Sequence, residues 1–252
     1  LNRGEALFRF LLQLGDTTLI MGHRVSEWCG HGPVLEEDIA LANIALDLIG
    51  QTRLWLGLAG EVEGRGRDAD ALAYLRDVFE FRNLLIAERP NGDFGRTIMR
   101  QFLYDAWSAL MLQRLQASSD KRIADIAGKA GKEVTYHLER SAELCVRLAD
   151  GTEESHNRMQ AALNLLWPYT GEMFTPDDPE RELAGTGVAP DPTELRDEWL
   201  TITGRLGTEG GLVMPDGGFA HLGGKSGRHS EHLGYVLAEM QWLQRAYPGA
   251  EW

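Results

Sequence analysis

Cysteine is nearly absent from this sequence: Cys29 and Cys145 make neither a CxxC pair nor a disulfide framework. Two isolated thiols in 252 residues fit a reduced, cytoplasmic protein in which each cysteine is a small apolar filler. Basic charge is also short, with 25 Lys and Arg against 38 Asp and Glu and a net charge of −13. A surface of that sign repels phosphate backbones and anionic headgroups, so neither nucleic acid nor a membrane is an expected partner. No run approaches the roughly 20 uncharged apolar residues that cross a bilayer; the stretch 39–46 contains Asn43 and is closed by Asp47. Residues 1–16 lack the charged leader and small-residue cleavage site of a secretory signal. The start at Leu rather than Met implies a residue or two upstream. Runs of alternating β-branched residues, fixed-period repeats, a nucleophile elbow, a Walker loop and a Rossmann glycine fingerprint are all missing.

What is present is helical periodicity. Apolar residues at Phe8, Leu11, Leu12, Leu19, Val25 and Trp28 predict a first helix over 4–29, broken by Gly30 to Pro33. Glu36, Glu37 and Asp38 load the first turn of a second helix, as the helix dipole favours. Its stripe is Leu41, Ile44, Leu48, Gln51 and Trp55, and the glycines from 57 to 66 are expected to stop it. Further helices are expected over 68–88, 94–117 and 121–149, and over 154–174 with a kink at Pro168. Phe102, Asp105, Ala106, Ala109 and Leu112 line one; Ala130, Val134, His137, Leu144 and Leu148 line another. Prolines make 175–192 a loop, a helix over 192–205 follows, residues 207–227 are Gly-rich, and 229–247 closes the chain as a helix. The fold class is therefore all-α, a helix bundle with additional C-terminal helices. It reads as a single domain over 1–252, with the bundle core at 4–174 and the extension 175–252 wrapped on it.

Such a bundle raises the question of a carboxylate-bridged di-iron centre. That centre takes a carboxylate from each of two helices and a Glu-x-x-His pair from each of the other two. Residues three apart share a helix face, so both side chains reach one ion. The segments SEWCGHGPVLEEDIALANIALDLIGQTRLWL (26–56), AERPNGDFGRTIMRQFLYDAW (87–107), GKEVTYHLERS (131–141) and GGKSGRHSEHLGYVLAEMQWLQRAYPG (223–249) resemble the C subunits of bacterial phenylacetyl-CoA 1,2-epoxidase. The resemblance runs through nearly the whole chain. It implies a ferritin-like four-helix bundle serving as a structural subunit, not an enzyme by itself, within a multicomponent oxygenase of aerobic phenylacetate breakdown. The implied partner is the system's catalytic A subunit, which holds the di-iron site and binds the coenzyme A thioester; the other epoxidase subunits are further partners. NADPH, flavin and iron–sulfur groups would belong to the reductase, and no cofactor to this chain.

Against the catalytic relative's Asp-Glu-x-Gly-His, residues 47–51 place Leu48 and Gln51 where ligand Glu and His would stand. Against its Lys-Glu-Glu-x-x-His, residues 132–137 keep His137 but put Val134 at the ligand Glu. Asp105 occupies a third-helix carboxylate position, and Glu27 is the candidate for the first-helix one. Leu, Gln and Val leave too few ligands for two irons, so the expectation is no catalytic residue and no metal. Asp105 and His137 are then expected to bond each other, or Lys132, Gln51 or water. Lys225 and Arg228, on a Gly-rich loop before a helix, are candidates to touch a coenzyme A phosphate, against the plainer reading of a solvated loop. His229, Glu231 and His232 read as a cap or interface cluster rather than a metal site. Trp28, Trp55, Trp107 and Trp242 read as core or interface aromatics. Rival functions are an independent di-metal carboxylate oxidoreductase and a small-molecule binding protein using the bundle cavity. A homodimer in isolation is left open as an alternative, through an apolar face without its partner.

Overall fold

A computed structural model describes residues 2–250, whose regular structure is entirely helical. In chain order the α-helices are α1 (Arg3–Ser26), α2 (Leu35–Glu63), α3 (Ala69–Tyr74), α4 (Leu85–Glu88), α5 (Phe94–Leu115) and α6 (Lys121–Ala149). They continue as α7 (Glu153–Leu166), α8 (Asp178–Ala184), α9 (Arg196–Thr203), α10 (Arg205–Thr208) and α11 (Glu231–Ala246). The fold is all-α and ferritin-like in its four long helices, α1, α2, α5 and α6. No helix among the described residues is long and apolar enough to cross a membrane. The chain divides into two compact units. The first takes the residues up to Pro90, Asp177–Glu182 and the segment from Gly223 onward; the second takes Asn91–Pro176 and Leu183–Leu222. The extension beyond Phe174 is thus shared between the two units.

In the first unit α1 and α2 form an antiparallel hairpin. Asn2 caps α1 by accepting from the Glu5 amide at 2.9 Å. Asp38 accepts from the Gly30 and Gly32 amides, which holds its carboxyl below the usual range and fixes the connection. The helices approach closely because α1 presents small residues. A Cβ on Gly15 would lie 2.5 Å from Leu56 Cδ2, and one on Gly22 would lie 3.3 Å from Leu48 Cβ. Between these, the Thr18 and Thr52 hydroxyls bond at 2.8 Å. The sequence places the end of α2 too early: the helix continues through Gly57 and Gly60 and stops at Gly64, whose left-handed φ of 68° makes a C-terminal cap. The single helix expected over 68–88 is broken into α3, a 3-10 turn (Val78–Glu80) and α4. The break follows from two start signals: Asp68 caps α3, and Asp77 with Glu80 forms a capping box just after α3's last turn.

The second unit is built on α5, α6 and α7. Asp93 and Asp120 cap α5 and α6 through backbone amides. Its core is aromatic. Trp107 Nε1 donates to the Met173 carbonyl and Trp199 Nε1 to the Leu103 carbonyl, so both buried indole N–H groups are satisfied. Trp199 also packs against Trp167 and Phe174, with ring centroids 5.2 and 5.1 Å apart. The expected kink at Pro168 is instead the end of α7, since two 3-10 turns, Trp167–Tyr169 and Gly171–Phe174, take over there. The inner stripe of α6 also departs slightly from expectation: Cys145 and Ala149 are buried, whereas Leu144 and Leu148 are half-buried.

Candidate functional site

The positions singled out from the family resemblance lie on α2 in the first unit and on α5 and α6 in the second. On α2, Leu48 and Gln51 are both buried on the stripe that begins at Leu41 and ends at Trp55. Leu48 packs beside Gly22 of α1, and neither it nor Gln51 brings a charge. Glu27, the first-helix candidate, requires correction. It lies beyond Ser26 at the C-terminal cap of α1, where the helix has ended and the residue has left the inward stripe. Its exposed carboxylate accepts from Arg24 at 3.0 Å. The carboxylate that α1 does bury is Asp16, and it is committed to a fork from Arg76 and to the Arg82 amide at 2.8 Å.

In the second unit Asp105, Val134 and His137 are all fully buried. Asp105 is brought to α6, but its hydrogen-bond partners are ones the sequence reading missed. Gln101 Nε2 donates to one carboxyl oxygen at 2.7 Å, and Ser141 Oγ donates to the other at 2.8 Å. Burial pushes the Asp105 carboxyl up to about 6, against the opposing influence of His137 and the bonds from Ser141 and Gln101. The neighbouring Cys145 thiol is raised by the same burial, with the Asp105 charge adding to it. A signal for both donors existed in the spacing. Gln101 stands one turn before Asp105, and Ser141 one turn after His137, so both lie on the faces already singled out. Lys132, an expected partner, is exposed.

A di-iron pair needs a hard, anionic shell of carboxylates and imidazoles. These positions offer one apolar and one amide side chain from α2, and from the second unit one carboxyl, one imidazole and a valine. Among the described residues no group of three or more His, Cys, Asp or Glu stands close enough to hold a metal ion. The residues present do not fit that group.

The Gly-rich loop before α11 also departs from expectation. Lys225 is buried, and its ammonium contacts both carboxylate oxygens of Glu180 at 2.8 and 2.9 Å. Gln13 donates to the same carboxylate at 3.0 Å. Lys225 is therefore directed inward onto Glu180 and away from solvent, while Arg228 is exposed. His229 is likewise turned inward. Its Nδ1 lies 2.6 Å from Glu88 and its Nε2 lies 3.0 Å from the Phe81 carbonyl, so both ring nitrogens are engaged. Glu88, fully buried, also accepts from Asn83 and from the amide and hydroxyl of Ser230. Of the tryptophans, Trp55 and Trp107 are core residues, and Trp242 is exposed on α11.

The sequence matches the family described as phenylacetic acid catabolic protein over residues 2–252. It is 46% identical over 246 residues to the C subunit of 1,2-phenylacetyl-CoA epoxidase from Escherichia coli (strain K12), covering 98% of this chain and 99% of that protein. With helices, core stripes and family pattern in agreement along its whole length, the chain belongs to the phenylacetic acid catabolic protein family.

Proposed function

We propose that this chain is the non-catalytic, structural subunit of a multicomponent phenylacetyl-CoA epoxidase in phenylacetate breakdown, working in the cytoplasm against a catalytic partner. The observation that carries the reading is the donor set. The chain is 46% identical to an epoxidase subunit, and by the family resemblance Leu48, Gln51 and Val134 stand at positions where a di-iron helix pair needs Glu, His and Glu. In this reading the partner carries the di-iron centre, a separate reductase handles NADPH with flavin and iron–sulfur groups, and this chain needs no cofactor of its own. Its contribution is mechanical: reacting groups must be held to fractions of an ångström, and packing from outside the site supplies that restraint.

Docking needs a face, and α2 offers one. Leu35, Ile39, Leu46 and Ile49 recur at helical spacing along its outer side and are exposed, Leu35 and Leu46 by 71% and 70%. The test is co-expression with the candidate catalytic partner, followed by sizing, metal analysis and an oxygenation assay with phenylacetyl-CoA. The expected result is a complex whose activity is lost when this chain is omitted, with iron in the partner alone. Leu46→Asp is expected to weaken the complex by roughly tenfold or more. Near-stoichiometric iron in this chain purified alone, or full partner activity in its absence, would overturn the reading.

A further inference from the structure

The first unit contains a groove of about 550 Å³, a size suited to a small organic ligand. Its walls are the opening turns of α1, the end of α2 with the turn after it, and the segment from Arg76 to Arg82. Five arginines line it, Arg9, Arg65, Arg67, Arg76 and Arg82, against three glutamates, Glu5, Glu63 and Glu80. In a chain of net charge −13 that local excess runs against the overall composition.

The arginines are not equivalent. Arg67 is spent on Glu63, with bonds of 2.8 and 2.5 Å that raise the guanidinium and lower the carboxyl. Arg76 is spent on Asp16, and that buried fork stiffens the floor. Donors remain on the other three. Arg82 uses Nη1 on the Phe79 and Phe81 carbonyls, leaving Nε and Nη2 without a hydrogen bond among the described residues. Arg9 meets only Glu5, at the 4.0 Å limit of an ion pair. Arg65 forms no ion pair or hydrogen bond among the described residues. Burial holds Arg82 below its ordinary range, with the charges of Arg9 and Arg76 adding to the effect and Asp16 and Glu80 opposing it. Crowded like charges in a partly buried wall favour an anion between them.

We infer that this groove binds a phosphate- or diphosphate-bearing small molecule, with Arg9, Arg65 and Arg82 as its ligands. Guanidinium forks match phosphate oxygens, and the N-terminal end of α1 at Gly4 and Glu5 adds backbone dipole of the right sign. Phe8, Leu12 and Val62 supply an apolar flank for the organic body, which a lone inorganic ion would leave unused. Two sources share this chemistry, the nucleotide end of a coenzyme A thioester and free phosphorylated metabolites. The site stands independently of any association with a partner.

The test is calorimetric titration of the full chain with inorganic pyrophosphate at low ionic strength, then competition by adenosine 3′,5′-bisphosphate. Arg9→Gln/Arg65→Gln alters only exposed side chains, so an unchanged melting temperature certifies the fold. This double variant is expected to weaken pyrophosphate binding by roughly tenfold or more, whereas Arg147→Gln, exposed on α6, leaves it unchanged. Displacement by the bisphosphate supports the site with a nucleotide ligand; pyrophosphate binding without displacement supports it with a free phosphate. Absence of pyrophosphate binding, or equal binding by the double variant, would overturn it.

Discussion

The hairpin of α1 and α2 and the hairpin of α5 and α6 treat buried polarity in opposite ways. The first unit fixes each of three buried acids with a basic side chain: Asp16 with Arg76, Glu180 with Lys225, Glu88 with His229. The second hairpin holds Asp105 through hydrogen bonds from an amide and a hydroxyl, both neutral donors, with His137 acting on it only through space. The helices also differ in what two of their glycines face. Gly15 of α1 has no room for a Cβ, whereas Gly128 of α6 has nothing within 4 Å of one. A countercharge makes a buried acid costly to remove, while neutral donors leave it costly to ionise.

The largest expected effect tests the first half of that contrast. Asp16→Asn strands the Arg76 guanidinium in the core and should lower unfolding free energy by about 3–5 kcal/mol in denaturant melts. Lys225→Met strands Glu180 in the same way. It should cost about 3 kcal/mol, and amide exchange should show residues 223–230 opening before the rest of the unit.

Asp105→Asn should behave in the reverse sense. The Asp105 carboxyl titrates near 6 when folded and at about 3.9 when unfolded. Between those values the folded state holds more protons, so the stability this group contributes is present below about pH 4 and lost as pH rises through about 6, by roughly 2–3 kcal/mol. Removing that dependence, the variant should match wild type at about pH 4 and equal or exceed it at about pH 8. A uniform loss at both pH values would show that Asp105 is held as a charge after all. The smallest effects separate the packing: Gly15→Ala should destabilise by about 1–2 kcal/mol through overpacking, whereas Gly128→Ala should stabilise by about 0.5–1 kcal/mol by reducing the entropy of the unfolded chain.

Much of this was legible in the amino-acid order. The stripe from Leu41 to Trp55 is buried throughout, and Asp105, Val134 and His137 are inward as their spacing requires. Periodicity suffices there because a helix face is a local property. It failed where partners lie far apart in the chain. Lys225 on a glycine-rich loop looks solvated until Glu180 is found beneath it, and His229 looks like a helix cap until Glu88 is found 141 residues earlier. Glu27 misled for a local reason, since helix ends are where periodic reading loses its phase. The arginine groove left no motif, because its five members come from three separate stretches of chain.

That the first unit closes only with the segment from Gly223 onward has a bearing on biosynthesis. Emerging from the ribosome, the opening helices must wait with the Glu88 pocket unfilled while the entire second unit is made. Only afterwards do Lys225 and His229 arrive to lock them. A chain truncated before Gly223 would therefore damage the part synthesised first, and the half-made protein is the form most in need of a chaperone.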